Sequence, residues 1–430
     1  MAASLGNGPL QQFALVVQQQ LPTILQDGGV QLAITLQQQV AYSTRVQVTA
    51  AVALLCGAWL RLVVSKAAPS LWSLLLVVPL VAFNTWVPLL FHYREELISR
   101  CTALLLLLWL GSYKAMGLCL GRGPLAGQHW TVGQTCLLYI MPIYPSQDTG
   151  GVKKGRLTDN HGTSAQAALS FVANTAFCVS LAYLLAVYDM PVMVKYYVYF
   201  LALYGFITFL MDGPAALLIS VLGLKVVPPF DRPWAAANLG DFWSRRWNNT
   251  VSLTLRALVY DPLVEGCLIK QQQQQQQQQQ PGKAAKASLW LRLAGMAATF
   301  AVSGVMHEVI LFYVSHEGQF YPGYWFTFFA IQAPVVLAEA LIYKRLAAAN
   351  IHFPQLLGTA VGTVILMTLA TYLWYPPIDT HTDIATSVVA GINKNAAAVL
   401  GWMRQQGGSM GFDAALADLA GIAPATAAAV

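Results

Sequence analysis

Charged side chains are scarce in this chain. Asp, Glu, Lys and Arg make up 10% of its 430 residues, against about 25% in soluble proteins. That scarcity excludes a water-soluble globular domain, whose surface needs more ions than this. Cysteine is sparse as well. The six cysteines, Cys56, Cys101, Cys119, Cys136, Cys178 and Cys267, form no CxxC pair and no metal-ligand spacing. Neither a disulfide framework nor a metal centre is therefore expected, and they read as small packing residues. No basic amino end followed by a compact apolar core marks a cleavable signal. The net charge of +6 is modest and sits in loops, too diffuse for a nucleic-acid footprint.

What the chain has instead is apolar length. It is 57% hydrophobic with a mean hydropathy of +0.54. Taking about 20 apolar residues as one bilayer crossing, spans are expected near Val48–Val64, Leu71–Phe91, Cys101–Leu120, Ala167–Tyr188, Tyr196–Met211, Leu289–Val314, Tyr321–Tyr343 and Leu356–Tyr375. Ala215–Leu224 follows Asp212-Gly213-Pro214 and is too short to cross alone, so a broken or re-entrant continuation is expected there. The fold class is an all-α polytopic membrane protein of about eight to nine transmembrane helices with a cytosolic amphipathic helical segment.

Three regions follow from composition: a variable Gln-rich leader over 1–45, a membrane-embedded domain over 46–377, and a variable tail over 378–430 in which Phe412–Ile422 is a candidate weak helix. Inside the second lies a low-complexity insertion, 271–287, whose ten glutamines Gln271–Gln280 have no apolar face to bury. With eight spans, Lys66, Arg122, Lys153, Lys154, Arg156, the Lys225–Lys286 segment, Lys344 and Arg345 share one side. Positive-inside bias makes that side cytosolic and both termini lumenal. The expected location is a multi-pass position in the endoplasmic reticulum membrane.

Two constellations carry chemistry. In Leu289–Tyr313 an otherwise apolar run holds His307 and Glu308, near the middle of the helix. An ionisable group at that depth costs about 2.5 kcal/mol or more, so both should face protein or a water-filled cavity. A histidine there serves equally as a hydrogen-bonded link between helices, and that alternative stays open. The second is Pro228–Gly266. On a helical wheel from Asp241, the residues Asp241, Arg245, Asn248, Ser252 and Arg256 gather on one arc, with Trp243, Trp247, Val251 and Leu258 on another. Asp241 is a candidate N-cap and Asp261-Pro262 a candidate stop. An interfacial helix anchored by Trp and Arg would show the same spacing. The paired amides Asn248 and Asn249 argue against that reading, since an amide donates to a substrate oxygen and anchors poorly.

In four collinear blocks the chain resembles the wax-synthase-like branch of the membrane-bound O-acyltransferase superfamily. They are LWLGSYKAMGLCLGRGPL (108–125), PPFDRPW with DFWSRRWN and LVYDP (228–262), SGVMHE (303–308), and WFTFF through Glu339 with LWYPP (325–377). Three departures stand out: Ser244 where a glycine is usual, Gln332 where a histidine often follows the aromatic pair, and the glutamine run that interrupts the cytosolic loop. The resemblance implies that His307 and Asn248 are the catalytic pair of an acyl-CoA-dependent O-acyltransferase. It would esterify a long-chain fatty alcohol to a wax ester.

Such a reaction needs a base for the alcohol proton, which suits His307, and a donor for the oxyanion, which suits Asn248. Arg245, Arg246, Trp247 and Arg256 would bind acyl-CoA, the arginines meeting its phosphates. Of the two amides, Asn249 is expected to matter little. Glu308, about 100° around the helix from His307, is expected to be a structural partner, and Ser303 a packing hydroxyl. The implied partners are acyl-CoA, a lipophilic alcohol and membrane lipids, with no cofactor beyond acyl-CoA as co-substrate and no nucleic acid. Competing expectations are a sterol or diacylglycerol acceptor and, outside the class, a transporter with His307 in its substrate pathway.

Overall fold

In the computed structural model the described residues are 8–20, 27, 29–127, 129–146, 163–224, 226–270, 288–315, 320–351 and 354–405. Among them the chain is helical throughout, and its extended contacts amount to one antiparallel bridge, Pro145 to Val226. Eight helices are long and apolar enough to cross a membrane: Tyr42–Lys66, Trp72–Leu90, Leu97–Cys119, Ser164–Val187, Val192–Leu222, Leu289–Val314, Tyr324–Ala348 and Gln355–Trp374. The polytopic all-α class expected from hydropathy holds. The chain divides into two interleaved units, one formed by Met1–Pro142 with Leu253–Thr299, the other by Ile143–Ser252 with Phe300–Val430.

One expected break is absent. Val192–Leu222 runs as a single 31-residue helix straight through Pro214, so Ala215–Leu224 is neither broken nor re-entrant. Asp212 is buried and its carboxylate accepts from Ser170 Oγ at 2.5 Å on the neighbouring helix. The acidic residue that marked a loop thus has a polar partner inside the helix pair. At about 1.5 Å per residue this helix is some 46 Å long, well beyond a hydrocarbon core of about 30 Å, so it tilts or projects into the interface.

Parts of the regions read as leader and tail are helical among the described residues. In the supposed leader, Pro9–Gln20 and Val30–Gln39 are helices, Leu32, Ala33 and Leu36 are buried, and Gln37 Nε2 donates to Leu89 O at 2.6 Å. In the supposed tail, Ile384–Gln405 is a 22-residue helix whose Asn393 donates to Ala182 O at 3.2 Å, docking it on Ser164–Val187. Phe412–Ile422 and Gln271–Gln280 lie outside the described residues.

The first unit buries polar groups in pairs. Tyr139 donates to Asn84 Oδ1 at 2.8 Å and Asn84 donates to Ser112 Oγ at 3.0 Å, while Lys114 Nζ donates to the carbonyls of Leu138 and Met141 at 2.7 and 2.6 Å. The GRGPL block (121–125) is a turn with Gly121 and Gly123 at φ 67° and 79°, a region that favours glycine. Its arginine is a clamp and not a loop charge. Arg122 is buried, pairs with Glu265 at 2.7 Å and donates to the carbonyls of Leu268 and Cys267 at 2.7 and 2.6 Å.

Candidate functional site

His307 lies 18 residues into Leu289–Val314. At about 1.5 Å per residue that is some 27 Å from the start and about 10 Å from the end, so the side chain is past the middle of its helix. One turn earlier, a Cβ on Gly304 would meet the Phe326 Cα and carbonyl at 3.0 Å. The missing side chain is what lets the two backbones approach. Phe326 is the third residue of the helix Tyr324–Ala330, and its N–H donates to Glu308 Oε1 at 2.9 Å. Glu308 therefore caps the neighbouring helix, at the terminus where a carboxylate is most favourable.

That docking brings rings around the imidazole. Phe329 stacks on His307 with centroids 4.1 Å apart and planes at 23°, while Trp374 and Trp325 present edges at 5.4 and 6.1 Å. Trp325 and Trp374 stack on each other at 4.3 Å, and Trp325 Nε1 donates to Trp374 O at 2.8 Å. The imidazole Nδ1 lies 2.7 Å from Ser303 O and 3.5 Å from Ser303 Oγ. A carbonyl only accepts, so Nδ1 carries the hydrogen, and the lone pair of the neutral ring is on Nε2. That tautomer is the one a base acting through Nε2 requires.

The long amphipathic helix expected from Asp241 to Arg256 does not form. Leu239–Asp241 passes into a π-turn, Phe242–Arg246, after which Trp247 is extended (φ −105°, ψ 121°), Asn248 is left-handed at φ 45°, and a fresh helix starts at Asn249. The helical cap of the first piece is Asn238, whose Oδ1 accepts from Asp241 N at 2.7 Å, and not Asp241. The break has local causes. Asn tolerates the left-handed region better than other non-glycine residues, and Asn248 Oδ1 accepts from Val251 N at 3.3 Å, capping the new helix. With Oδ1 so used, the Nδ2 donor has no acceptor among the described residues.

Its neighbour has a different place. Asn249 is fully buried, its backbone N–H donates to Pro229 O at 2.8 Å and its Nδ2 to Pro228 O at 3.0 Å. Asn249 thus pins the PPF segment, a structural place that sequence spacing could not show, since it does not separate a half-buried amide from a fully buried one.

The proposed acyl-CoA residues are placed as follows. Arg246 is committed within the protein: Nε donates to Asp241 Oδ2 at 2.6 Å and Nη1 to the carbonyls of Asp231 and Arg232 at 3.1 and 3.4 Å. Arg245 is exposed and pairs with Asp241 Oδ1 at 2.6 Å. Trp247 is a packing residue, stacked on Phe200 at 5.1 Å and Phe242 at 5.3 Å. Arg256 belongs to the other unit, exposed, over the Tyr260 ring at 5.1 Å and 3.4 Å from Asp261. Burial pushes the Asp241 carboxyl up, but the bonds from Arg246 and the Ala237 N–H, with both arginine charges, hold it below the usual range. At Asp261 burial raises the carboxyl despite Arg256.

Composition and spacing missed the wall around His307. Phe329 leads through Trp243 (5.8 Å) and Phe242 (5.0 Å) to Trp247 (5.3 Å), beside Asn248. Gln332 is wholly buried and accepts from Trp243 Nε1 at 3.1 Å, while donating to Phe328 O at 3.0 Å. The findable signal was the aromatic density of WFTFF and LWYPP.

Residues 226–331 match the model of the family described as Membrane bound O-acyl transferase family. The chain is 25% identical over 324 residues to the Long-chain-alcohol O-fatty-acyltransferase of Simmondsia chinensis, covering 73% of this chain and 83% of that protein. It is 26% identical over 274 residues to the Acyl-CoA--sterol O-acyltransferase 1 of Arabidopsis thaliana, covering 62% and 72%. Against the Probable long-chain-alcohol O-fatty-acyltransferase 9 of Arabidopsis thaliana identity rises to 34% over 156 residues, 36% of this chain and 40% of that one.

Proposed function

The chain belongs to the membrane bound O-acyl transferase family and is an acyltransferase, and from that premise we propose that it esterifies a long-chain alcohol with the acyl group of acyl-CoA. His307 is the base of this proposal. Its Nε2 takes the alcohol proton as the alcohol oxygen attacks the thioester carbonyl; the C–O bond forms, and the oxyanion is held by a donor for which Asn248 Nδ2 is the candidate. The C–S bond then breaks and the imidazolium returns the proton to the CoA sulfur. Products are the ester and free CoA.

The observation that carries this reading is the tautomer of His307, fixed by the 2.7 Å bond to Ser303 O within a wall of three rings. Rings exclude water, which would otherwise compete with the alcohol for the thioester. Of the two arginines beside Asp241, Arg245 can meet a CoA phosphate at the lesser cost, since its guanidinium is exposed even while it pairs with that carboxylate. Arg246 can serve only by giving up Asp241.

A second reading has a sterol as acceptor, favoured by the similarity to the sterol acyltransferase. Membranes carrying the chain, supplied with labelled acyl-CoA and a panel of fatty alcohol, sterol and diacylglycerol, decide between them. Wax ester as the main product is expected. Steryl ester as the main product would replace the first reading with the second, and no ester from any acceptor would sink both.

A further inference from the structure

The segment that carries Trp374 into the ring wall is followed by an ion pair at Asp379. Trp374 ends one π-turn, Ala370–Trp374, and a second, Pro376–Thr380, follows directly after Tyr375. Such turns are rare interruptions of a helix, and Pro376 and Pro377 bring no N–H to their ladder. The segment therefore depends on side-chain anchors for its position.

Trp325 holds the Trp374 carbonyl, and a further set of anchors comes from one end of Val192–Leu222. Lys195 Nζ lies 2.6 Å from Asp379 Oδ2, and Tyr199 Oη donates to Asp379 Oδ1 at 2.8 Å. Tyr375 stacks on Tyr196 with centroids 4.3 Å apart and donates to Tyr196 O at 2.9 Å. The Asp379 side chain is 8% exposed and Lys195 30%, so the carboxylate is largely desolvated and removing its partner costs more than at a surface pair. Lys195 and Tyr199 are four residues apart and share a helix face. They grip Asp379 five residues beyond Trp374.

We propose that Asp379 is a positioning residue: by pinning 376–380 to Lys195 and Tyr199 it holds the Trp374 ring against His307 and so decides whether the acyl group passes to alcohol or to water. The inference rests on the acyltransfer reading above. In transfer the thioester C–S bond breaks, the acyl carbon bonds the alcohol oxygen, and the alcohol proton ends on the CoA sulfur. In the leak, water takes the alcohol's place: the C–S bond breaks, one water proton ends on the CoA sulfur, and the other leaves with the fatty acid. A displaced Trp374 opens the wall to that water.

Two measurements on the full chain test this. The first is the ratio of free fatty acid to ester formed from labelled acyl-CoA, for wild type, Asp379→Asn, Lys195→Ala and Lys195→Arg. The ratio should rise severalfold in the first two variants and stay near wild type in Lys195→Arg, which keeps the pair. A loss of stability alone would lower acid and ester together and leave the ratio unmoved. The second is hydrogen exchange of peptides covering 370–380, which should quicken in Asp379→Asn against an unchanged remainder. Unaltered exchange overturns the clamp, and faster exchange with an unaltered ratio overturns its link to the site. Should the wild type form no ester, the function reading fails by itself, while exchange still judges the clamp.

Discussion

Two regions of the second unit handle polar groups in opposite ways. Around Asp241 charge is met by charge: Arg245 and Arg246 both reach the carboxylate at 2.6 Å, and Arg246 ties the same group to the Asp231–Arg232 backbone. Around His307 the imidazole is met by the faces and edges of Phe329, Trp325 and Trp374, with one backbone carbonyl setting its tautomer. Ions that satisfy one another fix a loop, and of these only the exposed Arg245 has room for a further partner. Rings fix an imidazole's plane while leaving its chemistry to the nitrogen. The difference separates a scaffold from a candidate reaction centre within one unit.

The sharpest way to break that comparison is to remove the imidazole. His307→Ala should insert and fold normally yet lose about 10²- to 10⁴-fold in ester formation per molecule, the usual worth of a positioned base. Initial rates with labelled acyl-CoA, normalised to detergent-extracted folded protein, measure it. Near wild-type turnover would return His307 to a mere link between helices.

Next in size come the adjacent amides, which sit on opposite sides of the divide. Asn248→Asp keeps the capping oxygen and loses the donor, so turnover should fall by about 10²-fold or more with little change in melting temperature. Asn249→Ala should do the reverse, costing about 1–3 kcal/mol through the unmet carbonyl of Pro228 while turnover per folded molecule is kept. Equal losses of turnover in the two would mean that Asn248 acts through its backbone, not its amide.

Legibility follows the same divide. Hydropathy needs only a count of apolar residues, and eight spans were visible in it. Residue period sees one helix at a time, so it drew Asp241 to Arg256 as one continuous wheel. The break at Asn248 is local in its cap but is also held by contacts that a helical period does not see, such as Asn249 with Pro228 and Ser252 Oγ with Trp243 O at 3.1 Å. Pro214 misled in the other direction: Val192–Leu222 continues through it, with the Asp212 carboxylate beside it accepting from Ser170 on the neighbouring helix. His307 was legible as a residue but not as a geometry. The rings that wall it come from positions 325, 329 and 374, which no local pattern joins.

A smaller effect should appear at the ionic region. The Asp241 carboxyl is held below its usual range in the folded state, so its charge stabilises the fold above the unfolded value near 3.9 and that contribution is lost as pH falls through the folded one. Asp241→Asn should lower the melting temperature at pH 7, and the gap to wild type should close on acidification below about pH 4. A gap that stays constant with pH would show the loop to be held by packing and not by charge.

The smallest effect should come from deleting Gln271–Gln280, and here the anchoring of the flanks is the argument. On one side Arg122 grips Glu265, Cys267 O and Leu268 O, and Lys270 N donates to Leu120 O at 3.2 Å. On the other, Ser288 Oγ accepts from Leu291 N at 3.2 Å and starts the His307 helix. Both flanks belong to the first unit. Shortening the connection from 271–287 to 281–287 lowers its closure cost by only about 0.8 kcal/mol, and the seven residues left still reach about 23 Å. Ester formation and the yield of inserted protein should therefore stay within about twofold of wild type, since about 0.4 kcal/mol corresponds to that ratio. A large loss of turnover, restored by a Gly-Ser run of the same length, would mean the flanks lie farther apart than seven residues can bridge. A loss not restored by that run would give the glutamines themselves a role.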